Sequence, residues 1–192
     1  MGRRERKIEK RKQIFMSSIL VFLMIASGFA VMVGNTNSQL KYNGYRFRVQ
    51  NNQYVTEIDG ETIPFYSLPS EVEGINLSST ITNKLREAYL VMLSFKPEQS
   101  TSLQVIEVAR FDLSQYLGKT VYNGVLEESQ DYDLPVLTCE NATVQTPIII
   151  LNESSNPGFI EEDNCIYLNA NGYEFLWLRD RLLYSYHGVI ED

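Results

Sequence analysis

Residues 14–34 (IFMSSILVFLMIASGFAVMVG) are 21 consecutive uncharged, mostly apolar positions, and they follow a basic head, RRERKIEKRK. At about 1.5 Å of rise per residue, a helix of that length crosses a hydrocarbon core of roughly 30 Å. No other segment of the sequence matches it. The expected layout is a basic head at 1–13, a transmembrane helix at 14–34, a linker at 35–41 and one folded domain at 42–192.

Charge sets the expected orientation. The head holds seven basic and two acidic residues, and the rest of the chain ten basic and 22 acidic. The net charge of −7 thus divides into +5 before the span and −12 after it. Lys and Arg beside a span stay in the cytoplasm, so the N-terminus is expected inside and residues 35–192 outside. A cleavable signal peptide is the rival reading, because its leading region is also basic and Ala26-Ser27-Gly28 offers a small-residue site. Signal segments usually carry only about 7–15 apolar residues, which favours an uncleaved anchor. A nucleic-acid partner does not suit an outer domain of charge −12.

Two further features agree with an exterior domain. The only cysteines, Cys139 and Cys165, lie beyond the span, where an oxidising compartment permits a disulfide; two buried free thiols are the other reading. Three Asn-x-Ser/Thr sequons lie there too, making Asn76, Asn141 and Asn152 glycosylation candidates.

Patterning predicts a single α+β (α/β-type) domain with a mixed sheet, an N-terminal β-meander and a C-terminal packing helix. The meander lobe, 42–80, reads as three strands at 45–49, 53–58 and 61–68, turned at Asn51-Asn52 and Asp59-Gly60. Asp-Gly between two alternating runs is a strong hairpin signal, and Pro64 places the third strand at an edge. The α/β layer, 81–192, opens with a short helix capped by Thr80. A strand at 89–95, a helix at 103–117 ended by Gly118 and a strand at 120–126 then form a βαβ unit. Strands follow at 134–139, 146–151 and 164–170, with 158–162 paired to the last. From Tyr173 on, Phe175, Leu178, Leu182, Tyr186 and Val189 form a helical stripe, leaving Arg179, Asp180 and Arg181 near solvent.

Motifs for chemistry are sparse. Gly118-Lys119-Thr120 lacks the earlier glycine of a phosphate loop, since Leu113 stands there. His187, the one histidine, suits a cation facing the C-terminal dipole of the last helix better than a metal ligand. Carboxylates cluster at Glu127, Glu128, Asp131 and Asp133 and again at Glu161, Glu162 and Asp163, and solvated loop charge explains them best. Trp177 and the twelve tyrosines read as core or sheet cover more readily than as a binding surface. No catalytic, cofactor-binding or metal-binding residue is assigned, and no cofactor is expected.

The chain resembles small single-span archaeal membrane proteins of unknown function. The likeness lies in Arg11-Lys12-Gln13-Ile14-Phe15, Tyr42-Asn43-Gly44, Thr138-Cys139-Glu140-Asn141-Ala142-Thr143 and Arg181-Leu182-Leu183-Tyr184. That family brings no activity with it. Lys12-Gln13 is similar to the processing site of archaeal type IV pilins, without the small residue before Gln13 or the glutamate early in the helix. The expected function is a single-pass protein, held in the bilayer by 14–34, whose outer domain binds a protein or cell-surface partner. An anchored enzyme using carboxylates or a metal is the alternative, and a pilin-like subunit a third.

Overall fold

A computed structural model describes residues 16–19, 21–22, 24, 40–97 and 101–191. The basic head, the linker up to residue 39 and most of the expected span lie outside the described residues. The described positions between 16 and 24 are helical and exposed. Among the described residues, no helix is long and apolar enough to cross a membrane. The described residues from 40 to 191 belong to one compact unit.

That unit begins with three hairpins in a row. β1 (Leu40–Tyr42), β2 (Tyr45–Gln50), β3 (Gln53–Ile58) and β4 (Glu61–Phe65) pair antiparallel in sequence order. Each two-residue turn needs positive φ at both positions, and each is supplied with residues that tolerate it. Asn43 and Gly44 stand at φ 44° and 86°, Asn51 and Asn52 at 51° and 60°, and Asp59 and Gly60 at 52° and 84°. Pro64 sits in the edge strand β4, as its missing N–H requires. The meander thus has four strands rather than three, because β1 uses residues 40–42 that the sequence assigns partly to the linker.

After one helical turn, α1 (Pro69–Val72), comes α2 (Ser79–Glu87). Its cap is Ser78 rather than Thr80: the Ser78 hydroxyl accepts from Thr80 N–H at 3.2 Å. β5 (Leu90–Phe95), α3 (Leu103–Tyr116) and β6 (Thr120–Val125) make the expected βαβ unit, with β5 and β6 parallel. Gly118 ends α3 in the left-handed region at φ 61°. β7 (Ile148–Glu153), β8 (Gly158–Glu162), β9 (Cys165–Ala170) and α4 (Glu174–Tyr186) complete the fold. The sheet order is β6-β5-β7-β9-β8, all parallel except the antiparallel edge strand β8.

Alternation along the strands divides the core in two. Val91, Leu93, Phe95, Ile149, Leu151, Ile166 and Leu168 face the large core, shared with the helices and with Phe47, Ile63 and Phe65 of the meander. Met92, Ile148, Ile150 and Cys165 face the other way. That back face is covered by a strap, residues 126–147, which contributes Leu126, Leu137, Cys139 and Ala142. The strand expected at 134–139 is part of this strap and makes only one bridge, Val125 to Val136. The segment meets the free edge of β6, where Pro135 has no N–H to give a ladder. The strap packs close: a Cβ on Gly124 would lie 2.6 Å from Leu137 and 2.7 Å from the Pro135 carbonyl oxygen.

The strap is pinned covalently. Cys139, in a 3₁₀ turn at Cys139–Asn141, is disulfide-bonded to Cys165 at the start of β9, with Cα atoms 5.4 Å apart. In the chain-entropy description a bridge across 26 residues contributes about 3–4 kcal/mol. Reduction is expected to lower stability by about that amount in urea melts. Alkylation of unreduced protein, read by mass spectrometry, should label neither cysteine; two labelled cysteines would refute the bridge.

Candidate functional site

α4 is the hub of the domain, and its charged residues are buried. Arg179, Asp180 and Arg181 are 0%, 0% and 4% exposed, which corrects the expectation that they lie near solvent. The apolar stripe packs on the sheet as periodicity requires. The opposite side of α4 is covered by the end of the meander and by α1 and α2, which a helical pattern alone does not foresee.

Those charges hold the chain between β4 and α2. The Asp180 carboxylate accepts the Tyr66 and Ser67 N–H groups at 2.7 and 2.8 Å and the Arg179 Nη1 at 2.6 Å. Arg179 Nη1 also donates to the Pro64 carbonyl at 2.8 Å, and its Nε lies 3.4 Å from Asp112 Oδ2. The guanidinium sits over the rings of Phe65, Tyr66 and Tyr116 at 5.4, 5.6 and 5.5 Å, so the electron-rich ring faces receive the charge that Nε and Nη2 give to no hydrogen bond. Tyr184 donates to the Ser67 carbonyl at 2.6 Å and stacks on Phe65 at 3.9 Å. Burial pushes Asp180 up to about 6, against the pull of Arg179, so it is ionised at neutral pH. Burial also pushes Tyr66 up to about 12, with the Asp112 carboxylate adding to it.

This anchored segment walls a surface that carries Tyr54, Tyr66 and Trp177. Trp177, on α4 off the apolar stripe, is 50% exposed. Its indole is common to two clefts. The larger, of about 550 Å³, also takes in Ile75, Asn76, Phe159, Glu174 and Leu178. The smaller, of about 290 Å³, takes in Tyr54, Tyr66, Ser67, Glu71 and Val72. Asp180 fixes Tyr66 and Ser67 in the smaller cleft, and Arg181 Nε fixes Ile75 in the larger by donating to its carbonyl at 2.9 Å. Both clefts therefore have prearranged walls, and an amphipathic indole between them suits a partner that is part apolar and part hydrogen-bonding. A separate depression of about 600 Å³ on the meander carries Arg46, Arg48, Glu57 and Asp59, charges of both signs.

The other residues singled out in the sequence are dispersed. Asn76 is exposed on the larger cleft. Asn141 is exposed in the strap, its Oδ1 accepting the Thr138 N–H at 2.8 Å. Asn152 is exposed on β7, its Nδ2 donating to Asn169 Oδ1 at 2.7 Å. Glu127 pairs with Lys96 at 3.2 Å, and Glu161 with Lys84 at 2.5 Å. Lys84 and Thr80 hold the Glu161 carboxyl below its usual range, outweighing the upward push of burial. Among the described residues, no three His, Cys, Asp or Glu side chains gather as a metal site would require.

His187 is not the expected helix-end cation. Burial lowers its basicity, beyond what the Tyr116 carbonyl, 2.8 Å from Nε2, restores. A carbonyl can only accept, so Nε2 carries a proton and donates it. A depressed imidazole stabilises the fold above its unfolded value of about 6.5, and that contribution is lost as pH falls through the folded value. Relative to His187→Gln, the wild type is expected to lose stability as pH is lowered from 7.5 to 5, measured by urea denaturation; parallel pH profiles would refute this.

The ion pair makes a second prediction. Arg179→Ala leaves Asp180 buried without its cation and should cost about 3–5 kcal/mol. Arg179→Lys should restore little, because a point charge cannot span the Pro64 carbonyl, Asp180 and three ring faces. Denaturation midpoints check both.

Comparison with protein-family models, with curated proteins and with solved structures found no match for this chain, so its functional reading rests on the residues and geometry described above.

Proposed function

We propose that the chain is a single-pass membrane-anchored protein whose disulfide-bonded α+β domain lies outside the cytoplasm and binds a protein or cell-envelope partner at Trp177. The observation that carries this reading is a half-exposed indole between two clefts whose walls are held by buried charges. Rigid walls lower the ordering cost of binding. The exterior address is supported by the Cys139–Cys165 bridge, which needs an oxidising compartment, and by the +5 head before 21 uncharged residues.

External protease on intact cells is expected to remove the domain and leave a short protected anchor. A domain cleaved only after lysis would overturn the orientation, and a mature chain starting near Phe29 would overturn the anchor. For binding, a photo-crosslinking aromatic residue at Tyr54 of the full-length protein should give a discrete adduct in intact cells. Trp177→Ala should abolish that adduct; an adduct indifferent to Trp177 would overturn the binding surface.

A further inference from the structure

Of the three sequons, only Asn76 lines a cleft with a half-exposed indole. Among the described residues its side chain has no hydrogen-bond partner, whereas Asn141 and Asn152 spend part of theirs on Thr138 and Asn169. The larger cleft beside it, of about 550 Å³, falls within the usual size of a small-molecule site. It offers what a pyranose needs: an indole for the sugar's apolar C–H side, apolar Phe159 and Ile75, and Glu174, whose Oε2 accepts the Asn171 N–H at 3.0 Å, as a polar wall.

From this juxtaposition we infer that Asn76 carries an N-linked saccharide whose first sugar lies in the larger cleft against Trp177. The inference rests on the exterior placement of the domain proposed above. The acceptor is Asn76 Nδ2, and the donor class is a saccharide linked to a polyprenyl phosphate or diphosphate. The Nδ2–C1 bond forms as the C1–O bond to the lipid phosphate breaks. The lipid phosphate leaves with the bonding pair, and the amide gives up one proton; nothing is oxidised or reduced.

The fold also orders the events. Leu77 is 5% exposed and the Ser78 hydroxyl caps α2. The sequon is therefore accessible in extended form only before the domain closes, so the sugar is attached to the emerging chain and then packed. Once seated, it supports one side of the indole and leaves the smaller cleft, with Tyr54 and Tyr66, for the partner.

Trp177 is the only tryptophan in the chain, so its fluorescence reports on the indole that borders this cleft. Full-length protein from the membranes of its own cells should give an Asn76 glycopeptide by mass spectrometry. Asn76→Gln should lose that mass, shift the emission to the red and increase quenching by acrylamide. Ser78→Asp removes the sequon but keeps a good cap, and should do the same, so a folding defect in one variant does not decide the outcome. Ser78→Thr should keep both the sugar and the wild-type emission, and Asn141→Gln should leave the emission unchanged. Unmodified Asn76 in a domain that external protease reaches would overturn this inference alone. A domain protected from external protease would overturn the exterior placement and this inference with it. A modified Asn76 whose loss leaves the emission and quenching unchanged would overturn the packing on Trp177.

Discussion

The Arg179–Asp180 pair is the interaction on which the rest of the domain depends. A salt bridge taken out of water is costly, and its attraction seldom repays the desolvation alone. Here Asp180 also satisfies two N–H groups of the main chain after β4, and Arg179 satisfies the Pro64 carbonyl just before them. Burying that stretch against a helix without those partners would strand three backbone groups. The pair is thus the means by which an antiparallel meander can lie on a helix that belongs to a parallel sheet. Apolar replacements of equal volume would fill the space and leave the backbone unsatisfied.

Seen this way, the clefts at Trp177 are a by-product of how two structural halves are joined. The residues that hold the junction together on its buried side, Tyr66, Ser67 and Ile75, present their other surfaces to solvent beside the indole. Trp177 sits one turn from Arg181 and three residues from Glu174, on the same flank of α4. Rigidity at the junction and shape at the surface come from the same few residues. That coupling means substitutions in the ion pair change the surface beside Trp177 as well as stability.

How much of this is legible in the sequence depends on the range of the interaction involved. Asp59-Gly60 and Asn51-Asn52 are read correctly because a turn's chemistry lies in the turn itself. The unit β5–α3–β6 is read correctly because one apolar strand, one periodic helix and one glycine stop are each local signals. The burial of Arg179, Asp180 and Arg181 is not legible, since their main-chain partners lie 106 to 115 residues earlier and helical periodicity records only one face. Residues 134–139 carry a strand's composition, yet Pro135 has no N–H to offer and they make only one bridge to the edge strand β6 before turning across the back face. Trp177 could have been found: it falls off the stripe that Phe175, Leu178 and Leu182 define, and a large aromatic residue outside the stripe has to lie against something other than the sheet.

The position of the hub at the end of the chain has a consequence for how the protein is made. Tyr66 must wait for Asp180, 114 residues later, and the large core lacks its central helix until the last residues emerge. Closing contacts of such long sequence separation is slow, and incomplete cores expose apolar sheet faces meanwhile. The meander and the parallel sheet therefore cannot close on one another until α4 is present. An open chain is the form that a membrane channel threads, that oxidising and modifying enzymes can reach, and that chaperones have to guard. Truncating even the final two turns of α4 would leave a complete set of strands with nothing to gather them.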